Sequence, residues 1–264
     1  MKSESSAGEW PHRRVVLLGA SNIARSLSIV FDSARNAWGS PLDIIAATGH
    51  GRSYGMSSRV LGRTLPGILQ SGLWDALAAR PPAPTAALLT DIGNDILYGA
   101  SAEQITRWVQ RCLKQLKPVA QQITITQLPL ASIEALGTLR FLAMRTLLFP
   151  KSRLTLSDAL KTARELNANV TELANQYEAV IVEPARHWYG FDPIHIKHGD
   201  QPDAWRQILR AWNPDEDIAT ARHSLLRWAS LRRIRPQSRH MFGFLQQQTQ
   251  PARRLSDGSL VSLY

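Results

Sequence analysis

Five short apolar runs recur along the chain: RVVLLG (14–19), LDIIAA (42–47), TAALLT (85–90), QITITQL (122–128) and AVIVE (179–183). They are rich in leucine and β-branched residues, and the first three are almost continuously apolar, as parallel strands covered on both faces are. Between them lie longer segments whose apolar residues return every three or four positions, which lines them up on one side of a helix. NIARSLSIVFDSARNAW follows the first run, SSRVLGRTLPGILQSGLWDALAA (57–79) the second and SAEQITRWVQRCLKQLK the third, while LSDALKTARELNANVTELANQY precedes the fifth. This alternation predicts an α/β fold, a doubly wound five-stranded parallel sheet with right-handed crossovers. The segment 128–153, LPLASIEALGTLRFLAMRTLLFPKSR, is longer than a simple connection and reads as an insertion near the site.

In such a sheet, functional groups collect where the loops leave the carboxyl ends of the strands. The first run ends on GASN with Ser21, the second on ATGHGRSYG, the third on DIGND with Asn94, and the fifth leads into HWYGFDPIHIKHGD. A strand running into Gly-Ala-Ser and then a helix suits either a phosphate cradle or a serine nucleophile. The cradle needs glycines at the fourth and sixth positions after the first, so that backbone can approach a pyrophosphate and helix can pack on strand. Those positions hold Ile23 and Arg25, and no acidic residue ends the second run to bind a ribose.

A serine hydroxyl is a weak nucleophile and needs a histidine base, a carboxylate to orient that base, and donors for the oxyanion. Asp192 and His195, three residues apart after the last run, suit the first two roles; Asn94 and the N–H groups of Ser21 and Gly51 suit the third. His198 and His187 are rivals for the base, but the Asp-x-x-His spacing selects His195. No regular ligand spacing joins these histidines and no cysteine supports them, so a metal site is not expected.

GAS with Ser21, TGHGRS with Gly51, GND with Asn94 and DPIH with Asp192 and His195 occur in the order of the four blocks of the SGNH or GDSL hydrolases. The chain resembles that family over about residues 15–200. The resemblance implies a flavodoxin-like sheet and cofactor-free, metal-independent ester hydrolysis through an acyl-enzyme, on a small-molecule or saccharide ester. It departs from the family where the usual aspartate before the nucleophile is Ala20, and Gly49 and Gly55 lie close enough to Gly51 to take its place. His50, Arg52, Tyr54 and Tyr98 are expected at the mouth of the site, and Leu136, Leu139, Phe141 and Met144 of the insertion are candidates for covering an acyl pocket. Each block has a plainer use, Ser21 as a helix cap and Asn94 or Asp192 as turn formers. A binding module for carbohydrate or protein that keeps the fold without turnover is the alternative function.

Charge and composition change the picture little. The formal charge of +10 is concentrated late: residues 1–217 hold 23 basic and 20 acidic side chains, whereas 218–264 hold eight arginines against Asp257 alone. The main body therefore need not meet a polyanion. Three parts are expected: an N-terminal segment 1–13, an α/β domain 14–213, and a basic helical C-terminal extension 214–264 that offers a weak site for an anionic partner. Within that extension, DIATARHSLLRWASLRRIR (217–235) has the pattern of a helix, and Asp257-Gly258 suits the turn of a terminal hairpin. Cys112 is the single cysteine, and no apolar run is long enough for an export signal or a bilayer span, which points to the cytoplasm.

Overall fold

The structure, a computed structural model, describes residues 10–148 and 153–264. All five expected strands form: β1 (Arg13–Leu18), β2 (Leu42–Ala47), β5 (Thr85–Leu89), β6 (Gln122–Thr126) and β7 (Val180–Val182). They lie side by side in parallel in the order β2-β1-β5-β6-β7, the flavodoxin-like order. Successive side chains of a strand point to opposite faces, and each face has its own core. On one, Val16, Leu18, Ile45, Ala87 and Leu89 pack against α3 (Leu73–Ala79), α5 (Ala102–Leu116) and α8 (Leu156–Gln176). On the other, Val15, Leu17, Ile44 and Leu88 meet α2 (Leu27–Trp38) and α9 (Gln201–Leu209), with Trp188, Trp205 and Trp212 filling the space. The start of α5 is fixed by a capping box in which the Ser101 hydroxyl accepts from the Gln104 N–H and the Gln104 side chain accepts from the Ser101 N–H.

The helix expected after β1 is two helices, α1 (Ser21–Arg25) and α2, broken at Ser26. The Ser26 hydroxyl donates to the Asn22 carbonyl at 2.5 Å and accepts from Trp205 Nε1 at 2.8 Å, so side-chain bonds displace the regular ladder there. The helix expected over 57–79 is mostly not one. Its first part is a hairpin of β3 (Ser58–Val60) and β4 (Arg63–Leu65), and only its end is helical, as α3. Leu61 and Gly62 both take positive φ, 48° and 77°, in the two-residue turn, and Pro66-Gly67 then blocks a helix before Gly72.

The insertion folds as α6 (Leu130–Ile133) and α7 (Thr138–Leu148), which follow the short α4 (Asn94–Leu97) and α5 in the chain and lie against α8. Residues 214–264 are not a helical extension. Their only helix among the described residues is α10 (Leu225–Arg232), which packs on α2 through buried Leu231 and an ion pair between Arg227 and Asp32. Beyond it β8 (Ser238–Met241) and β9 (Phe244–Gln247) extend the β3-β4 hairpin into a four-stranded antiparallel sheet. The hairpin at Asp257-Gly258 does form, from β10 (Arg253–Arg254) and β11 (Leu260–Leu263), and β11 pairs in parallel with β2. The main sheet thus has seven strands, and the edge that would have been β2 is covered by the tail. The expected boundary at residue 213 divides a continuous sheet.

Asp43 shows what that cover protects. It is fully buried, and its carboxylate is 2.8 Å from Arg14 Nε and 3.0 Å from Arg80 Nε, both arginines nearly buried as well. Arg80 in turn donates to Ser262 of β11 at 2.6 Å. Removing the tail opens the β2 edge and wets this charge cluster. A chain ending at Asn213 is expected to aggregate or to unfold at a markedly lower denaturant midpoint than the full chain, as size-exclusion chromatography and urea titration would show.

Candidate active site

The order β2-β1-β5 reverses direction at β1, and the crevice at the carboxyl ends of β1 and β5 is where α/β sheets place their sites. Gly19 makes the first turn possible there. A Cβ at this position would lie 2.7 Å from Thr90 Cγ2 and 2.8 Å from Ile23 Cδ1, so any other residue would have to displace both side chains. Ser21 opens α1 one residue after the N-cap, Ala20, and its side chain makes no capping bond.

The hydroxyl of Ser21 instead meets His195 Nε2 at 2.8 Å, and His195 Nδ1 meets Asp192 Oδ2 at 2.6 Å. An ionised carboxylate can only accept, so Nδ1 carries the proton, and in the neutral ring Nε2 accepts from Ser21 Oγ. Asp192 builds its own loop, since its Oδ1 accepts from the N–H groups of Ile194 and His195 at 3.3 and 3.2 Å. Burial pushes the Asp192 carboxyl up, but the bond and charge of His195 and these two N–H groups outweigh it and hold the group below its ordinary value. Arg25 stands 3.6 Å from the same carboxylate.

Two residues outside the expected set hold these parts together. Asp91, at φ 58°, directs its Oδ2 to the N–H groups of Ala20 and Asn22, at 2.8 and 3.0 Å, on either side of Ser21. Asn22 donates through Nδ2 to Asp91 Oδ1 at 2.6 Å and to the Ile194 carbonyl at 2.9 Å, and its Oδ1 accepts from the Ile196 N–H at 2.9 Å. The loop is therefore clasped on both sides of His195. Both residues stand inside the quoted blocks GASN and DIGND, where polar side chains flank a turn and have no apolar duty.

Asn94 begins α4, and its Nδ2 is buried without a hydrogen-bond partner among the described residues. Gly51 sits at φ 63°, and its carbonyl accepts from the Tyr98 hydroxyl at 2.5 Å, which ties the loop after β2 to the end of α4. A Cβ at Gly51 would meet Val60 Cγ2 at 2.8 Å and the Tyr98 hydroxyl at 2.9 Å. Gly49 packs on Leu65, and Gly55 faces the Trp108 ring, both as close-packing positions.

Arg52 and Tyr54 do not line the mouth. Arg52 is fully buried and donates to the Tyr264 carbonyl and, at 3.3 Å, to that of Thr48, so it anchors β11 to this loop. Tyr54 is also fully buried, its hydroxyl near the carbonyls of Leu18 and Thr90 at 3.2 and 2.9 Å. A long amphipathic side chain on a loop looks identical in sequence whether its tip meets water or a row of strand-end carbonyls. His50 lines a cavity together with Arg25 and His198, while the Tyr98 hydroxyl donates to the Gly51 carbonyl. His198 points away, edge-on to His223 with ring centroids 4.1 Å apart, and His187 packs against Trp188. Among the described residues no group of three or more His, Cys, Asp or Glu could hold a metal ion, and no helix is long and apolar enough to cross a membrane.

An apolar cavity of about 110 Å³ adjoins Asn22, Asn94 and Ile194. Leu136 and Phe141 line it as expected, with Leu128 and Ile133; Leu139 is 84% exposed on the outer side of α7, and the side chain of Met144 lies outside what the structure describes.

No protein-family model and no curated protein matches the chain in sequence. Solved structures do match in fold. Est24, a carbohydrate acetylesterase from Sinorhizobium meliloti, is similar at TM-score 0.52 and 13% identity, over 74% of this chain and 96% of that one. The aryl esterase of M. smegmatis in an inhibitor-bound form is similar at TM-score 0.52 and 14% identity, over 75% of this chain and 97% of that one. The chain shares the fold of these two esterases.

Two outcomes follow from these contacts. Asn22→Ala frees the Ile194 carbonyl and Ile196 N–H together, and is expected to cost about 1–3 kcal/mol in urea unfolding and to raise amide exchange at Ile196. Asp95, buried under the same loop, accepts from the Tyr54 N–H at 2.8 Å, and burial raises its carboxyl to about 6 against the hydrogen bonds of Ser53 and Tyr54. The folded state then binds the proton more tightly than the unfolded one, so this group takes stability away as pH rises from about 4 to 6. Asp95→Asn is expected to flatten that decline and to gain about 1–3 kcal/mol above pH 6, measured as urea midpoints across the range.

Proposed function

We propose that the protein is a serine esterase that works through an acyl-enzyme. The observation that carries this reading is the line Ser21 Oγ, His195 Nε2, Asp192 Oδ2, with separations of 2.8 and 2.6 Å. Its fold, shared with a carbohydrate acetylesterase and an aryl esterase, supports the same chemistry.

Ser21 Oγ attacks the ester carbonyl carbon while His195 Nε2 takes the hydroxyl proton, and Asp192 stabilises the imidazolium that results. The carbonyl π pair moves onto oxygen, and that oxyanion faces the N–H groups of Ser21 and Gly51 and the Nδ2 of Asn94. An amide donor already desolvated and unpaired before the reaction gains most where negative charge develops, which is the use this reading gives to Asn94. Collapse expels the alcohol, protonated by His195. Water then repeats the sequence on the acyl-enzyme, with His195 as base, and releases the acid. The apolar cavity under α6 and α7 receives the acyl chain.

A fluorophosphonate probe tests the assignment, because it reacts with an activated serine and spares an ordinary one. The wild-type protein is expected to be labelled at Ser21, located by peptide mass spectrometry, and Ser21→Ala to lose both labelling and hydrolysis of p-nitrophenyl acetate. Asn94→Ala is expected to lower kcat by about 10²–10³ with little change in KM, since its amide acts on the transition state. An unlabelled, folded wild type would instead favour a binding module on this fold.

A further inference from the structure

A second cavity, of about 390 Å³, shares no described lining residue with the apolar one, and Arg25 in its wall stands 3.6 Å from the Asp192 carboxylate. Its walls come from parts of the chain far apart in sequence: Arg25 from α1, His50 from the loop after β2, His198 from the loop beyond His195, and His223, Trp228 and Arg232 from the tail around α10. No aspartate or glutamate lines it.

The two arginines are not neutralised in the ordinary way. Arg25 reaches only Asp192, 3.6 Å away, and that carboxylate is already engaged by His195 Nδ1. Arg232 has no carboxylate partner among the described residues, and its guanidinium is stacked over the Trp228 ring, 4.7 Å from the centroid. Stacking fixes the plane of a guanidinium and leaves its N–H edge free for a planar or tetrahedral oxyanion. Packing against the cavity wall, and then the charges of Arg63, His195, Arg25 and Arg232, hold the His50 imidazole down at about 4, so it stays neutral at ordinary pH and can offer a hydrogen bond.

We propose that this cavity binds an oxyanion carried on the alcohol portion of the ester, so that the substrate class is an ester whose leaving group bears a carboxylate, phosphate or sulphate. The proposal rests on the esterase reading above. The assignment to the alcohol side rests on the placement of the acyl chain in the apolar cavity, next to Asn22 and Asn94, which leaves the other substituent of the attacked carbonyl for the cationic one, lined by Ala24 and Arg25 of the helix that Ser21 opens.

The test compares 4-acetoxybenzoate with its methyl ester, which share the acetyl group; because the neutral ester is one methyl larger and has the more acidic leaving phenol, each rate is divided by that ester's rate of hydroxide hydrolysis before the two are compared. At low salt the anionic ester is expected to have the higher kcat/KM by about tenfold, mostly through KM, the size of one charge-assisted contact. The ratio should approach unity as added salt screens the site, and in Arg232→Gln; Arg232→Lys, which keeps the charge, should restore part of it. Equal corrected rates for the two esters in the wild type, or a preference unaffected by Arg232→Gln, overturns the proposal while leaving the esterase reading intact. Should neither ester turn over, the esterase reading is what fails, and calorimetric titration with 4-hydroxybenzoate still reads the cavity. Binding that is lost in Arg232→Gln then supports an anion site, and no binding to the wild type overturns it.

Discussion

The carboxylate of Asp91 is the constraint on which the site depends. It takes the two N–H groups that flank Ser21 and, through Asn22, reaches the loop that carries His195. Without that clasp the Ser21–His195 contact would rest on two loops, one after β1 and one after β7, whose strands are separated in the sheet by β5 and β6. Asp91 lies two residues past the end of β5, the strand next to β1, and holds positive φ to aim its side chain back across the crevice. A single short acidic side chain therefore converts adjacency in the sheet into registry between chain segments more than 170 residues apart.

The same logic explains how Ala20 can stand where the resemblance leads one to expect an aspartate. An acid in the turn itself would serve the backbone N–H groups around the serine locally. Here the acid is supplied from just past the neighbouring strand and the turn residue is reduced to a fully buried methyl group. The chemistry of the turn is preserved while its sequence signature moves to DIGND.

The strands and the four strand-end blocks were legible in the sequence because each depends on local pattern: apolar runs for β1, β2 and β5, and small or polar residues directly after them. Ser21, Asn94, Asp192 and His195 could be found this way. Asn22 and Asp91 could not, since apart from each other their partners are backbone groups, which every sequence offers equally. Residues 57–79 read as a helix because Val60, Leu61, Leu65, Ile68 and Leu69 mimic helical spacing; Gly62 and Pro66-Gly67 were the signal that should have outweighed it. The tail misled through composition. Its arginines suggested a solvated helix, whereas LVSL, only four residues, is the part that pairs with β2. Short edge strands have too few residues to show a period.

Arg52 gives the tail a further meaning. Its contact with Tyr264 joins positions 212 residues apart, and it is made from the loop that carries Gly51. Closing so long a loop has an entropic cost that the contact must offset, and here the pairing of β11 with β2 shares it. During synthesis, β1, β5 and the clasp of Asp91 can assemble while β11 is still being made. The loop after β2 is already held by Tyr98 and Asp95, and docking of that strand adds the Arg52 anchor. Completion of the sheet edge therefore also braces the loop that carries Gly51, so that strand and loop are tied into one unit.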